Sequence, residues 1–115
     1  MTVTGSIDIV SDDEDALKSA VAMTPVSVAI EADQSVFQLY RGGVLADARC
    51  GDAVDHGVLV VGYGHDPGTG LDYWRIKNSW GTSWGEAGYA RLVRGRNMCA
   101  ITTEPSYPTG VEPVD

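Results

Sequence analysis

The fold is decided by a β-branched stretch framed by glycines, Asp55-His56-Gly57-Val58-Leu59-Val60-Val61-Gly62-Tyr63-Gly64. Such a run is typical of a buried strand, and Gly62 and Gly64 indicate that another chain element comes close to the backbone there. A polar, glycine-containing segment at 66–70 follows and leads into a second strand-like run at 71–77. The two runs therefore predict a β-hairpin.

A histidine and an asparagine flank this hairpin. His56 stands near the start of the first strand, and Asn78 follows the second. If the strands pair as neighbours, both side chains meet at the same end of the sheet. A histidine that acts as a general base needs its second ring nitrogen fixed by a hydrogen-bond partner, and asparagine does this without adding charge. Trp80 and Trp84 in the following loop are expected to cover that hydrogen bond and exclude water.

The remaining elements are predicted from local patterns. Residues 11–14, Ser-Asp-Asp-Glu, predict a capping box in which Ser11 caps a helix and Glu14 reaches back to the cap amide. Residues 25–30 predict a buried strand, and 33–40 predict one or two helical turns. A third strand is predicted at 88–93, and the prolines from Pro105 onward predict an irregular tail.

Composition limits the classes of function. The chain has 115 residues, is 43% hydrophobic and carries a formal charge of -8, which is typical of one globular domain. The negative charge argues against nucleic acid or an anionic membrane as a partner. No apolar run reaches the length of a membrane span, and the first ten residues do not have the pattern of a signal peptide.

The two cysteines, Cys50 and Cys99, are either reduced thiols or a disulfide. A bridge between them would close a loop of roughly 50 residues and stabilise the fold by about 4 kcal/mol in the chain-entropy model. Cys50 is also considered as a nucleophile for His56, since Arg49 would lower its pKa, but no recognisable helix begins after it. His65 lies in a polar turn and is expected to be exposed, because a metal site with His56 lacks a third ligand.

Several motifs together resemble the C-terminal half of papain-like cysteine peptidases of the cathepsin L type. They are Pro25-Val26-Ser27-Val28-Ala29-Ile30, Asp55-His56-Gly57-Val58, Gly62-Tyr63-Gly64, Tyr73-Trp74-x-x-Lys77-Asn78-Ser79-Trp80-Gly81-x-x-Trp84-Gly85-x-x-Gly88-Tyr89 and Asn97-x-Cys99-x-Ile101. The resemblance covers nearly the whole chain. It implies a β-dominant α+β fold, an antiparallel barrel-like sheet with one amphipathic helix, formed by residues 1–115 as a single C-terminal domain.

The resemblance also implies the catalytic roles. His56 matches the base of a Cys-His-Asn triad and Asn78 the residue that orients it. Trp80 matches the tryptophan that shields this pair, and Asp55 matches a residue that lines the cleft. Cys50 and Cys99 match a family disulfide. One departure is Ala100, where family members commonly have glycine, so the local backbone is expected to differ.

Substrate selectivity is predicted by the same resemblance. Alignment with the family places Ala29, Val54, Gly57 and Glu104 around the pocket for the second residue before the scissile bond, with Glu104 near its floor. A carboxylate there pairs with arginine. We therefore expect the complete enzyme to accept arginine beside phenylalanine or leucine at that position.

The implied function is cysteine-type endopeptidase activity. The family's nucleophile segment and oxyanion-hole glutamine belong to an N-terminal domain, which is expected outside this sequence, so the isolated chain is expected to be inactive. No metal or other cofactor is implied. The expected partners are a peptide or protein substrate and the nucleophile domain, in a lysosomal, vacuolar or extracellular setting. The alternative is a non-catalytic module that binds a peptide or partner chain along the inherited cleft face.

Overall fold

A computed structural model describes residues 5–8, 12–103 and 106–109, and the side chains of 12–103. The helices are α1 (Glu14–Val21) and α2 (Ser35–Gln38), and 3-10 turns lie at Ala48–Cys50 and Met98–Ala100. The strands are β1 (Gly5–Asp8), β2 (Val26–Ile30), β3 (Val44–Leu45), β4 (His56–Asp66), β5 (Leu71–Lys77), β6 (Tyr89–Val93) and β7 (Ser106–Thr109).

The described strands form one sheet in the order β1-β7-β2-β4-β5-β6-β3. Neighbouring strands are antiparallel except β3 and β6, which pair in parallel. The predicted β-dominant α+β class is confirmed. The central position belongs to β4, so the strand that begins at His56 is held on both sides by β2 and β5.

The central hairpin forms as predicted, with β5 at the expected residues. Its two glycines behave differently. At Gly64, an added Cβ would lie 2.7 Å from the Tyr73 hydroxyl of β5, which confirms the predicted close approach. At Gly62, an added Cβ would meet nothing within 4 Å, and the hairpin register shifts between Val60 and Gly62 instead. The prediction of a close approach at Gly62 was wrong, since this glycine lies at an irregularity of the ladder.

The predicted capping box was wrong. Ser11 lies outside the described residues, and α1 begins at Glu14 with Asp13 as its N-cap, the Asp13 carboxylate accepting from the Ala16 amide at 2.9 Å. The Glu14 carboxylate accepts instead from the Gly95 amide at 2.6 Å and from the Trp74 indole at 3.4 Å. These partners lie 81 and 60 residues away in the chain, so local spacing alone did not predict them.

The irregular tail predicted from Pro105 onward was also wrong in part. Residues Ser106–Thr109 form β7, which pairs antiparallel with β1 and contacts β2 through Ser27 and Ser106. Proline density is a local signal, whereas this strand is defined by partners about 80 to 100 residues away. Long-range pairing therefore overrides the local pattern.

Among the described side chains, one hydrophobic core joins the helices to one face of the sheet. Its largest fully buried side chains include Trp74 of β5, Phe37 of α2 and Leu17 of α1. Burial alternates along β2, where Val26, Val28 and Ile30 face the core while Ser27 is exposed. Among the described residues, no helix combines the length and apolar character needed to cross a membrane.

Candidate active site

His56 and Asn78 meet at one end of the β4–β5 hairpin. His56 is the first residue of β4, and Asn78 directly follows β5. Because the two strands run antiparallel, with Leu59 opposite Lys77, the start of one lies beside the end of the other. The His56 Nε2 and Asn78 Oδ1 atoms are 2.8 Å apart, which is a hydrogen-bond distance.

The amide oxygen of Asn78 is itself fixed. Asn78 is 6% exposed, and its Oδ1 also accepts a hydrogen bond from the Ser79 amide at 2.7 Å. The Asn78 backbone amide donates to the Gly88 carbonyl at 3.1 Å. Because an amide oxygen only accepts, a neutral His56 carries its proton on Nε2. The arrangement therefore leaves Nδ1 as the ring nitrogen that can accept a proton.

Trp80 covers the imidazole of His56. The two ring centroids are 5.2 Å apart at an interplanar angle of 31°. Trp80 is 39% exposed and packs edge-on against Phe37 and Trp84, at 5.5 Å from each. Trp84 is buried, and its indole donates to the Phe37 carbonyl at 3.1 Å. Of the two tryptophans predicted to cover the pair, Trp80 stacks on the histidine and Trp84 supports Trp80 from the core.

Asp55 connects the start of β4 to the end of β2. Its backbone amide donates to the Ile30 carbonyl at 2.9 Å, and its carboxylate accepts from the Ala32 amide at 2.8 Å. Asp55 and His56 also line a cavity of about 220 Å³ with Trp80 and with three residues that the sequence pattern did not indicate: Ala32, Asp33 and Gln38. Asp33 and Gln38 carried no sequence signal, because isolated polar residues near a short helix are usually solvated.

The buried carboxylate of Glu31 was likewise not predicted. Glu31 is 5% exposed and accepts from the Ala53 amide at 2.7 Å and from the Gln34 side chain at 2.8 Å. These two hydrogen bonds lower the pKa of Glu31. A hydrogen bond shared with Glu31, together with partial desolvation and repulsion from Glu31 and Asp55, raises the pKa of Asp33.

The predicted substrate-pocket residues are only partly described. Ala29 of β2 lies directly opposite Gly57 of β4, and both face away from the core. An added Cβ at Gly57 would meet nothing within 4 Å, so this surface is open. Val54 is half-buried and lies two residues before His56. Glu104 lies outside the described residues, and its pocket role stays a prediction.

The cysteines form a disulfide. The Cys50 and Cys99 sulfurs are 2.01 Å apart, and both residues are buried. This confirms the bridge that the resemblance implied and excludes Cys50 as a free nucleophile in the oxidised protein. The adjacent Ala100 has a φ of 65°, a left-handed conformation that glycine adopts at lower cost, so Ala100 occupies a backbone geometry suited to the family's usual residue.

Neither His56 nor His65 lies in a cluster of potential metal ligands within the described part of the chain. Among the described residues, no three His, Cys, Asp or Glu side chains converge in a way that would hold a metal ion. His65, on the hairpin far from His56, is exposed and pairs with Asp72 at 2.8 Å.

The comparison with protein families decides the assignment. A family model described as papain family cysteine protease matches residues 1–109. The chain belongs to the papain family of cysteine proteases.

Relatives within the papain family include cathepsin L of Sarcophaga peregrina, which is 55% identical over 94% of this chain. A cathepsin L-like protein of Caenorhabditis elegans is 52% identical over 90% of this chain. The chain spans 32% of the length of each of these relatives. This papain-family chain thus spans about a third of these two relatives.

Solved structures of papain-family proteases share the fold. Bromelain from Ananas comosus, in complex with the inhibitor E64, superposes with a TM-score of 0.86 and 39% identity over 93% of this chain and 50% of its own. The proform of the ragweed pollen cysteine protease Amb a 11 gives a TM-score of 0.88 and 37% identity over 100% of this chain and 32% of its own.

Proposed function

We propose that residues 1–115 are the domain of a papain-family endopeptidase that supplies the histidine and asparagine of a Cys-His-Asn triad, His56 and Asn78. The observation that carries the proposal is the 2.8 Å contact from His56 Nε2 to Asn78 Oδ1. It fixes the ring orientation and leaves Nδ1 free to act on a thiol. Because both cysteines of this chain are in a disulfide, the thiol is assigned to an N-terminal domain outside residues 1–115.

The proposed reaction uses His56 as base and then as acid. Nδ1 takes the thiol proton, and the resulting thiolate attacks the carbonyl carbon of the scissile bond. As the C–N bond breaks, the imidazolium gives its proton to the leaving nitrogen, and a thioester remains. Water then hydrolyses the thioester with His56 again as base. Asn78 keeps the ring in place throughout, and Trp80 limits the access of water to their hydrogen bond.

Substrate and setting follow from the same proposal. The partner of the site is a peptide or protein substrate, and Ala29, Val54, Gly57 and Glu104 are proposed to shape the pocket for the second residue before the scissile bond. A lysosomal, vacuolar or extracellular location is proposed, because the buried disulfide is favoured in an oxidising compartment.

A non-catalytic binding module is the weaker candidate. A module that functions alone has no chemical reason to keep a histidine oriented by a buried amide. Among the described residues, the exposed large apolar side chains include Leu39 and Trp80, at 75% and 39% exposure. Both lie beside the aromatic cluster of α2 and the Trp84 loop, as expected for a surface that another domain covers.

The test is peptide hydrolysis by the complete protein. His56→Ala is expected to lower kcat/KM by about a hundredfold or more, the size of a general acid–base contribution. The matched control is His65→Ala, which removes a histidine from the exposed hairpin and is expected to leave kcat/KM within about twofold of the unmodified protein, as a surface change remote from the site.

Two results would contradict the proposal. Equal loss of activity in both histidine variants would show that His56 has no special role. Hydrolysis by the purified 115-residue chain alone, abolished by His56→Ala, would show that the nucleophile does not lie in another domain.

A further inference from the structure

A small cavity opens directly beside the His56 ring. Its volume is about 220 Å³, and it is lined by Ala32, Asp33, Gln38, Asp55, His56 and Trp80. Pockets for whole small-molecule ligands usually occupy roughly 300–1,000 Å³. The cavity therefore has a size suited to one amino-acid side chain.

The proposed function implies which part of the substrate lies at this cavity. It is the part that follows the scissile bond and carries the leaving nitrogen. His56 must reach the leaving nitrogen to protonate it, so the residue that carries this nitrogen lies next to the imidazole. Trp80 stacks on that imidazole and lines the cavity. The Ala29–Gly57 surface, proposed for the other side of the scissile bond, does not line it. The cavity therefore receives the side chain immediately after the scissile bond.

The charge of the cavity wall is negative. Asp33 and Asp55 both line it, and the buried carboxylate of Glu31 lies close enough to raise the pKa of Asp33. In the part of the chain that the structure describes, none of the ion pairs formed by lysine or arginine involves these three carboxylates. A cation entering the cavity would relieve their mutual repulsion.

Asp33 is the carboxylate better placed to act on a substrate. One Asp55 oxygen accepts from the Ala32 amide at 2.8 Å and so holds the chain between β2 and α2. Asp33 is exposed. Besides the hydrogen bond that it shares with Glu31, its carboxylate accepts a long one from the Gln34 side chain, at 3.3 Å. Removing the Asp33 charge would therefore change the cavity without breaking a backbone contact.

We propose that Asp33 selects an arginine or lysine side chain at the substrate position immediately after the scissile bond. The carboxylate pairs with the cationic end of that side chain at the cavity rim, and Trp80 packs against its aliphatic stem. This selectivity is separate from the one proposed for Glu104, which concerns the residue two places before the scissile bond.

The experiment measures kcat/KM of the complete protease on internally quenched peptides that differ only after the scissile bond, with Arg, Gln or Glu. The unmodified enzyme is expected to prefer Arg to Gln by about threefold to fivefold, the size of a partly exposed ion pair. Asp33→Asn is expected to bring these two peptides within about twofold of each other, and Asp33→Lys to favour the Glu peptide over the Arg peptide.

The matched control is Asp15→Asn on α1, which removes the same charge from an exposed residue that does not line the cavity. It should keep the preference for Arg. Equal rates for the three peptides in the unmodified enzyme, or an Arg preference unchanged in Asp33→Asn and Asp33→Lys, would overturn this proposal while leaving the endopeptidase function in place. No turnover of any peptide, or turnover that survives His56→Ala, would instead reject the proposed function and this selectivity with it.

Discussion

At the residue scale, one hydrogen bond determines which proton His56 carries. The Asn78 oxygen accepts from the Ser79 amide at 2.7 Å and faces His56 Nε2 at 2.8 Å. The backbone donor fixes the side-chain amide with its oxygen toward the ring, because the nitrogen end could not accept from Ser79. The tautomer of His56 is thus fixed with the help of a main-chain N–H group, which every residue at position 79 except proline would supply.

Asn78→Ala is expected to lower kcat/KM of the complete protease by about tenfold to a thousandfold, since a freely turning ring loses much of its general acid–base contribution. The measurement is steady-state hydrolysis of a peptide substrate. Ser79→Ala is the control, because it keeps the backbone amide that binds Asn78. An Asn78→Ala enzyme with unchanged kcat/KM would show that the ring is oriented by other contacts, such as the Trp80 stack.

The positions of the site residues could be predicted to different extents. His56, Asn78 and Trp80 lie in dense local motifs, so their sequence spacing was informative. Asp33 and Glu31 were missed, because their role depends on the approach of residues 53–56. Glu14 was assigned to a local cap although its carboxylate binds Trp74 and Gly95. Contacts between distant parts of the chain leave no spacing pattern to detect.

At the element scale, strands with a local partner could be predicted from the sequence, whereas short strands with distant partners could not. The hairpin β4–β5 was predicted because its turn and both its strands are contiguous in sequence. Three short strands, β1, β3 and β7, are only two to four residues long. They are held in the sheet by strands that are distant in sequence. β7 also contains Pro108, and a proline favours the prediction of irregular structure over a strand.

The loop after β5 depends on Gly85, which has a φ of +59°; an added Cβ there would lie 2.5 Å from the Tyr89 carbonyl oxygen. Gly85→Ala is expected to lower the free energy of unfolding by about 3 kcal/mol, through backbone strain and this overlap. Gly70→Ala separates the two causes, since Gly70 has a φ of +73° and open space around it; a loss of about 1 kcal/mol is expected.

Denaturant unfolding of the complete protease measures both changes. The Trp84 loop supports Trp80, so the Gly85 variant is also expected to lose peptidase activity. Equal destabilisation by the two substitutions would mean that the Tyr89 carbonyl moves aside and that backbone strain alone operates.

At the scale of the whole molecule, the Cys50–Cys99 disulfide joins the end of the first 3-10 turn to the second. The two cysteines are 49 residues apart, and the Cys99 carbonyl accepts from the Glu31 amide at 2.8 Å. The bridge therefore lies next to the segment after β2 that carries Glu31, and it connects distant parts of the core.

The double variant Cys50→Ala, Cys99→Ala is expected to lose about 4 kcal/mol in free energy of unfolding, the chain-entropy value for a loop of this length. Guanidinium unfolding of the complete protease measures the loss, and adding a reductant to the unmodified protein should lower its stability in the same direction. A double variant as stable as the oxidised protein would show that packing around the two sites replaces the bridge.

The central hairpin has a practical consequence for labelling the protein. Residues 67–70 at its turn are exposed, and β4 extends for 11 residues from there to His56. At a rise of about 3.3 Å per residue, the turn lies roughly 30 Å from the imidazole. A fluorophore or a surface anchor attached at this turn would leave the His56–Asn78 site unobstructed, so the molecule can be immobilised in a known orientation with that site facing the solution.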